Sequence, residues 1–102
     1  MAQIIWTEPA LNELDAIADY IALDKPEAAK RLVRRIFDSV ENLSRFPEMG
    51  RKIPEMRNSG HRELVVPPCR IFYRKHRNTI FVVFIMRGER LFHPDFLQSS
   101  GG

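Results

Sequence analysis

One cysteine, Cys69, is all this chain of 102 residues contains. A lone cysteine forms no intramolecular disulfide and cannot by itself hold a structural metal. His61, His76 and His93 stand apart, with no pair at a metal-ligand spacing, so neither a metal nor any other cofactor is expected. Long apolar runs are missing too. The longest, Ile80–Met86, falls far short of the ~18 residues that a membrane-spanning helix needs. The start MAQIIWTEP has no basic region and no apolar core of a secretory leader, and a cytoplasmic protein is expected. A composition of 44% hydrophobic and 28% charged residues is that of an ordinary globular domain. Residues 1–97 are expected to form one domain and Gln98–Gly102 (QSSGG) a flexible tail.

What the chain does have is a charge step. Met1–Ser44 carries five Lys/Arg against eight Asp/Glu, whereas Arg45–Arg90 carries eleven against four. The net charge of +3 therefore conceals an acidic first half and a basic second half. Such a basic half is suited to an acidic partner.

The element pattern is α+β. Ile4, Ile5 and Trp6 suggest a first strand. Thr7 is an N-cap candidate, with Glu8 and Pro9 in the first turn. Leu11, Leu14, Ile17, Ala18 and Ile21 then recur at helical spacing, opposite an acidic face of Glu13, Asp15 and Asp19. Asp24 and Glu27 fit a capping box that starts a second helix, running to about Phe46. Its apolar stripe is Ala29, Leu32, Val33, Ile36, Val40 and Leu43, beside a basic belt of Lys30, Arg31, Arg34 and Arg35. So short a connection predicts an antiparallel helical hairpin. A Pro/Gly-rich loop, PEMGRKIPEMRNSG, precedes three strand-like runs: His61–Val66, Cys69–His76 and Thr79–Met86. Pro67-Pro68 separates the first two, and Arg77-Asn78 sits where a hairpin turn belongs. The last run is apolar on both faces, as a central strand covered on both sides is, or one covered by a partner. The expected architecture is an N-terminal strand, the hairpin, and a three-stranded antiparallel meander with the helices on one face.

Alternation along the second run puts Arg70, Phe72 and Arg74 on one face and Ile71, Tyr73 and Lys75 on the other. With Arg62 on the neighbouring strand and Arg87 and Arg90 beyond the last, several guanidinium groups are candidates to converge on one side of the sheet. Arginine's planar fork suits phosphate and carboxylate alike. Two jobs fit: holding a scissile RNA phosphate, or docking onto an acidic protein surface. Cys69, with no general base at motif spacing, reads as a small buried residue.

The order of elements resembles the RelE/ParE superfamily of bacterial type II toxins. The residues that carry the likeness are Pro47 with Gly50-Arg51, His61-Arg62-Glu63-Leu64, Arg70-Ile71-Phe72-Tyr73-Arg74 and Val83-Phe84-Ile85-Met86-Arg87-Gly88-Glu89-Arg90. The resemblance implies one of two activities. RelE-like members are ribosome-dependent ribonucleases; ParE-like members inhibit DNA gyrase. Arg62 stands at one strand-lysine position of RelE, but Leu64 replaces the next, no tyrosine follows Tyr73, and Arg87 stands where many relatives have histidine. Arginine stays protonated and carries no proton in general acid/base chemistry. The likeness thus favours the ParE-like branch: a toxin, not itself an enzyme, that stabilises cleaved-DNA complexes of gyrase. Its target-binding candidates are Arg70, Arg74, Arg87, Arg90 and Phe92. The alternative is a RelE-like endoribonuclease with Arg62, Arg70 and Arg87 on the phosphate and His61 as acid or base. A second alternative is a basic, non-toxic interaction domain. Either toxin implies a cognate antitoxin with a small acidic tail and a DNA-binding N-terminal part. That tail would wrap the hairpin and the sheet, for which Leu32, Val33, Ile36, Phe37, Phe81 and Val83 are the candidate contacts.

Overall fold

The structure, a computed structural model, describes residues 1–98; the expected tail falls, Gln98 apart, outside the described residues. Its elements are β1 (Gln3–Trp6), α1 (Glu8–Ala22), α2 (Pro26–Glu41), β2 (Arg51–Lys52), β3 (Arg62–Val66), β4 (Cys69–His76) and β5 (Thr79–Arg87). Single 3₁₀ turns lie at Asn42–Ser44, Pro54–Met56 and Pro94–Leu97. The five strands form one sheet in the order β1-β5-β4-β3-β2. The antiparallel meander is present as β3-β4-β5. β1 extends it in parallel on β5, with Ile4 opposite Ile80, and the two-residue β2 closes the other edge. None of the described helices is long and apolar enough to cross a membrane.

The start of α1 follows from one hydroxyl. Thr7 Oγ1 accepts from Ala10 N at 3.4 Å and donates to Val82 O at 2.7 Å, so the cap that begins the helix also fastens it to β5. Leu14 and Ile17 are buried as the stripe predicts, but Ala10 takes the innermost place and Leu11 is exposed. The expected capping box at Asp24 is not formed. Lys25 is the N-cap of α2 and has no side-chain bond, because Asp24 N and Lys25 N still close the end of α1 onto Ile21 O. α2 also ends earlier than expected, at Glu41, and tightens into the 3₁₀ turn at Asn42–Ser44.

Both faces of the sheet are covered. Ala10, Leu14 and Ile17 of α1 and Leu32, Ile36 and Val40 of α2 pack with Ile71, Tyr73, Ile80, Val82 and Ile85. On the far face a smaller core holds Ile53, Phe72, Val83, Phe84, Met86 and Leu97, with Phe81, Phe92 and Phe96 at its margin. This second core explains the doubly apolar β5. It lies one strand in from the edge, under α1 on one side and the C-terminal segment on the other. An irregularity in the β4–β5 ladder pairs Phe72 with Phe84 but Tyr73 with Val82. The extra residue, Val83, joins Phe84 in the second core.

Candidate functional site

The face away from the helices carries arginines laid over rings. Arg74 lies 4.4 Å from the Phe81 ring centroid, Arg90 4.7 Å from Phe96, and Arg70 5.1 Å from Phe72. The alternation predicted for β4 holds, and it brings Arg70 and Arg74 to this face. Arg90 reaches the same face and also Glu13 of α1, at 3.5 Å. Arg87 and Arg62 do not join them. Arg87 covers Tyr20 of α1 at 4.5 Å and pairs with Glu89, and Arg62 donates to Gly50 O at 2.9 Å near the β2 edge. Phe92 packs edge-on against Phe72 with centroids 5.5 Å apart.

Arg70 is already fully engaged. Its Nε and Nη2 donate to Glu63 Oε1 at 2.9 and 2.6 Å, while Nη1 and Nη2 fork onto the Glu55 carboxylate at 2.9 and 2.7 Å. Glu63 is buried, and its other oxygen accepts from Arg51 Nε at 2.7 Å. The Arg70 hydrogen bond holds the Glu55 carboxyl below its usual range, against a smaller opposing effect of burial. Glu55 in turn leads the causes that hold Arg70 more firmly protonated. The group ties the loop before β3 to the middle of the sheet. To hold a phosphate, Arg70 would have to give up a carboxylate that it already forks onto. The sequence marked Arg70 and not its two acids, because their meeting depends on the fold of the intervening loop.

The available proton carriers are few. The Tyr73 hydroxyl accepts from Gly50 N at 2.9 Å and donates to Pro47 O at 2.8 Å, and burial raises its pKa. Gly50 is required at that spot: a Cβ would come within 2.7 Å of the Tyr73 hydroxyl and 2.6 Å of Glu63 O. His61 lies at the other end of the loop, its Nδ1 3.3 Å from Ser59 O; burial lowers its pKa. His93 caps the C-terminal 3₁₀ turn through Asp95 N. The buried Cys69 thiol is pushed up to about 11, chiefly by burial. Among the described residues, no group of three His, Cys, Asp or Glu side chains is placed to hold a metal.

A second surface lies between the helices. Ala18, Ala22, Ala29, Val33 and Phe37 line an apolar groove of about 540 Å³ rimmed by Asp19, Lys30, Arg34 and Asp38. Of the residues expected to meet an antitoxin, Val33 and Phe37 line this groove, and Phe37 also packs on Trp6 with centroids 4.7 Å apart. Leu32, Ile36 and Val83 do not offer contact surface, because they fill the chain's own two cores. Phe81 is half covered by Arg74. Of the alanines that open the groove, the sequence placed Ala18 and Ala29 in the apolar stripes of the two helices and left Ala22, one turn on from Ala18, unmarked.

Two helices packed on a mixed five-stranded sheet is the fold of the RelE/ParE superfamily of type II toxins. The model of the ParE toxin of the type II toxin–antitoxin system parDE matches residues 4–92, and the chain belongs to that family. It is 39% identical to Toxin RelE2 of Caulobacter vibrioides over 92 residues, which is 89% of this chain and all of the relative. It is 42% identical to the Putative toxin Y4kP of Sinorhizobium fredii over 78 residues, 74% of this chain and 78% of that one. A solved chain of the chromosomal ParDE TA system from P. aeruginosa superposes with a TM-score of 0.74 at 29% identity, covering 87% of this chain and 98% of that one. Membership of the ParDE family implies a cognate antitoxin partner.

Proposed function

We propose that this toxin acts as a gyrase poison: it binds DNA gyrase and stabilises the cleaved-DNA complex, and its antitoxin releases it. The observation that carries this reading is the state of the sheet's functional groups. Arg70 is held by two carboxylates and Tyr73 by two backbone groups. What the face away from the helices offers outward is charge and ring surface, at Arg74, Arg90 and Phe92, which suits docking better than proton transfer. The groove lined by Val33 and Phe37 is the proposed seat of the antitoxin tail, its apolar floor and charged rim suiting an amphipathic segment.

Supercoiling by purified gyrase, titrated with the purified chain, tests the reading. Inhibition with accumulation of cleaved DNA is the expected outcome; unchanged supercoiling sinks it. The name of the Caulobacter relative, Toxin RelE2, favours a second reading as a RelE-like ribonuclease. In that case primer extension on translated mRNA gives codon-positioned cuts, and gyrase is untouched.

A further inference from the structure

β4 runs past the end of the strand beside it. The β3–β4 ladder stops at the Arg62–Tyr73 pair, whereas β4 continues against β5 as far as His76. Lys75 and His76 therefore have a neighbouring strand on the β5 side alone. The two-residue turn at Arg77-Asn78 makes His76 and Thr79 the hydrogen-bonded pair next to it, so His76 turns its peptide groups to β5 and Lys75 turns its own to the open side. Among the described residues, no backbone hydrogen bond outside the ladder reaches Lys75. An open N–H and C=O on a strand edge are a template for a further strand.

A hollow adjoins this edge. Phe46, Pro47, Glu48 and Met49, in the loop after α2, line a cavity of about 510 Å³ together with Lys75. Phe46 is 61% exposed and Met49 46%, so apolar surface stands uncovered beside the open peptide groups. The loop is held in place, because the Tyr73 hydroxyl donates to Pro47 O and accepts from Gly50 N. Glu48 is the one acid in the lining. Arg45 precedes Phe46 and His76-Arg77 follow Lys75, all exposed, and among the described residues none of these four basic side chains forms an ion pair.

We infer that this edge takes an extended segment of a partner protein as an added strand, with an apolar residue opposite Lys75 and acidic residues around it. Residues directly opposite on paired strands share a face, so the partner residue facing Lys75 points into the hollow and packs on Phe46 and Met49. Main-chain hydrogen bonds supply the affinity and the hollow supplies the selection, while Arg45, Lys75 and Arg77 favour acids beside the anchor. A nucleic acid has no peptide groups with which to satisfy Lys75. The surface shares no residue with the groove lined by Val33 and Phe37, nor with the arginines laid over rings on the far face. It is testable without gyrase and without the antitoxin.

The test follows amide chemical shifts of the full chain titrated with short, terminally blocked peptides that carry leucine at the centre and glutamate and threonine around it. The Lys75 N–H shifts and saturates. Methylating the leucine amide nitrogen removes the donor that Lys75 O accepts and weakens binding roughly tenfold. Phe46→Ser weakens it by about tenfold, and lysine in place of glutamate in the peptide by about threefold. Leu91→Ser, which removes another bare apolar side chain elsewhere, leaves the affinity unchanged. Circular dichroism melts confirm that both variants fold. Equal affinity for the methylated peptide, equal losses in the two variants, shifts centred on Val33 and Phe37, or no saturable shift at millimolar peptide each overturn the inference. A Lys75 shift on concentrating the chain alone gives the edge to a second copy and overturns it too.

Discussion

Arg70 and Glu63, seven residues apart in sequence, meet at 2.6 Å with the carboxylate wholly buried. Glu63 accepts Arg51 on its other oxygen, and Arg70 spends its remaining donors on Glu55. An arginine that looks in the sequence like a grip for a ligand is, in the fold, the hub of a four-residue clamp.

Breaking that clamp at its buried member has a large cost. Glu63→Ala leaves Arg70 facing an unpaired space in the sheet and is expected to destabilise the chain by about 3 kcal/mol. Thermal melting shows this as a drop of more than about 10 °C. Glu55→Gln, at a carboxylate whose side chain is 42% exposed, costs less than half as much.

The Tyr73 hydroxyl gives a clean separation of structure from catalysis. Tyr73→Phe strands Gly50 N and Pro47 O, and urea unfolding is expected to report a loss of about 2 kcal/mol. Gly50→Ala, which drives a Cβ into Glu63 O and the tyrosine ring, loses a similar amount, about 2 kcal/mol. Growth inhibition by the folded Tyr73→Phe fraction stays at the parent level. Abolished toxicity with parent-like stability would instead make the hydroxyl catalytic.

His61 makes stability depend on pH. Burial favours its neutral form in the folded chain, with the Arg74 charge acting in the same sense and the Ser59 bond opposing. The unfolded chain therefore takes up the proton first on acidification. The stabilising contribution is complete above about pH 6.5 and is lost as pH falls through the lower folded pKa. Urea midpoints compared at neutral pH and just above the carboxylate range should fall for the parent and fall less for His61→Gln.

Cys69 is expected to be inert in the native chain. Its thiol, pushed up to about 11 and buried, carries very little thiolate at pH 8. Alkylation by iodoacetamide should run roughly a hundredfold slower than in urea. Equal rates in the two conditions would mean that the start of β4 is open to solvent.

The helices and the meander were legible because each rests on local signals. Thr7 marks its own cap, Leu32, Ile36 and Val40 repeat at helical spacing, and Arg77-Asn78 joins His76 to Thr79 across a two-residue turn. β2 was not legible, since Arg51-Lys52 has no apolar residue and becomes a strand only by pairing with Glu63 and Arg62. The capping box at Asp24 failed because the C-terminal closure of α1, with Asp24 N and Lys25 N on Ile21 O, claimed the same backbone. For the sites, the sequence named the arginines but could not show which acids and rings they meet: Arg70, Arg87 and Arg90 each meet both.

The parallel pairing of β1 with β5 has a consequence for synthesis. Gln3–Trp6 takes its place on Thr79–Val82, and Thr7 finds its acceptors at Val82 and Val83. A nascent chain that has emerged as far as α2 thus holds an apolar hairpin with no sheet to cover it, and closing this long loop is slow compared with forming the helices. The toxin completes its sheet only after nearly all of it has left the ribosome.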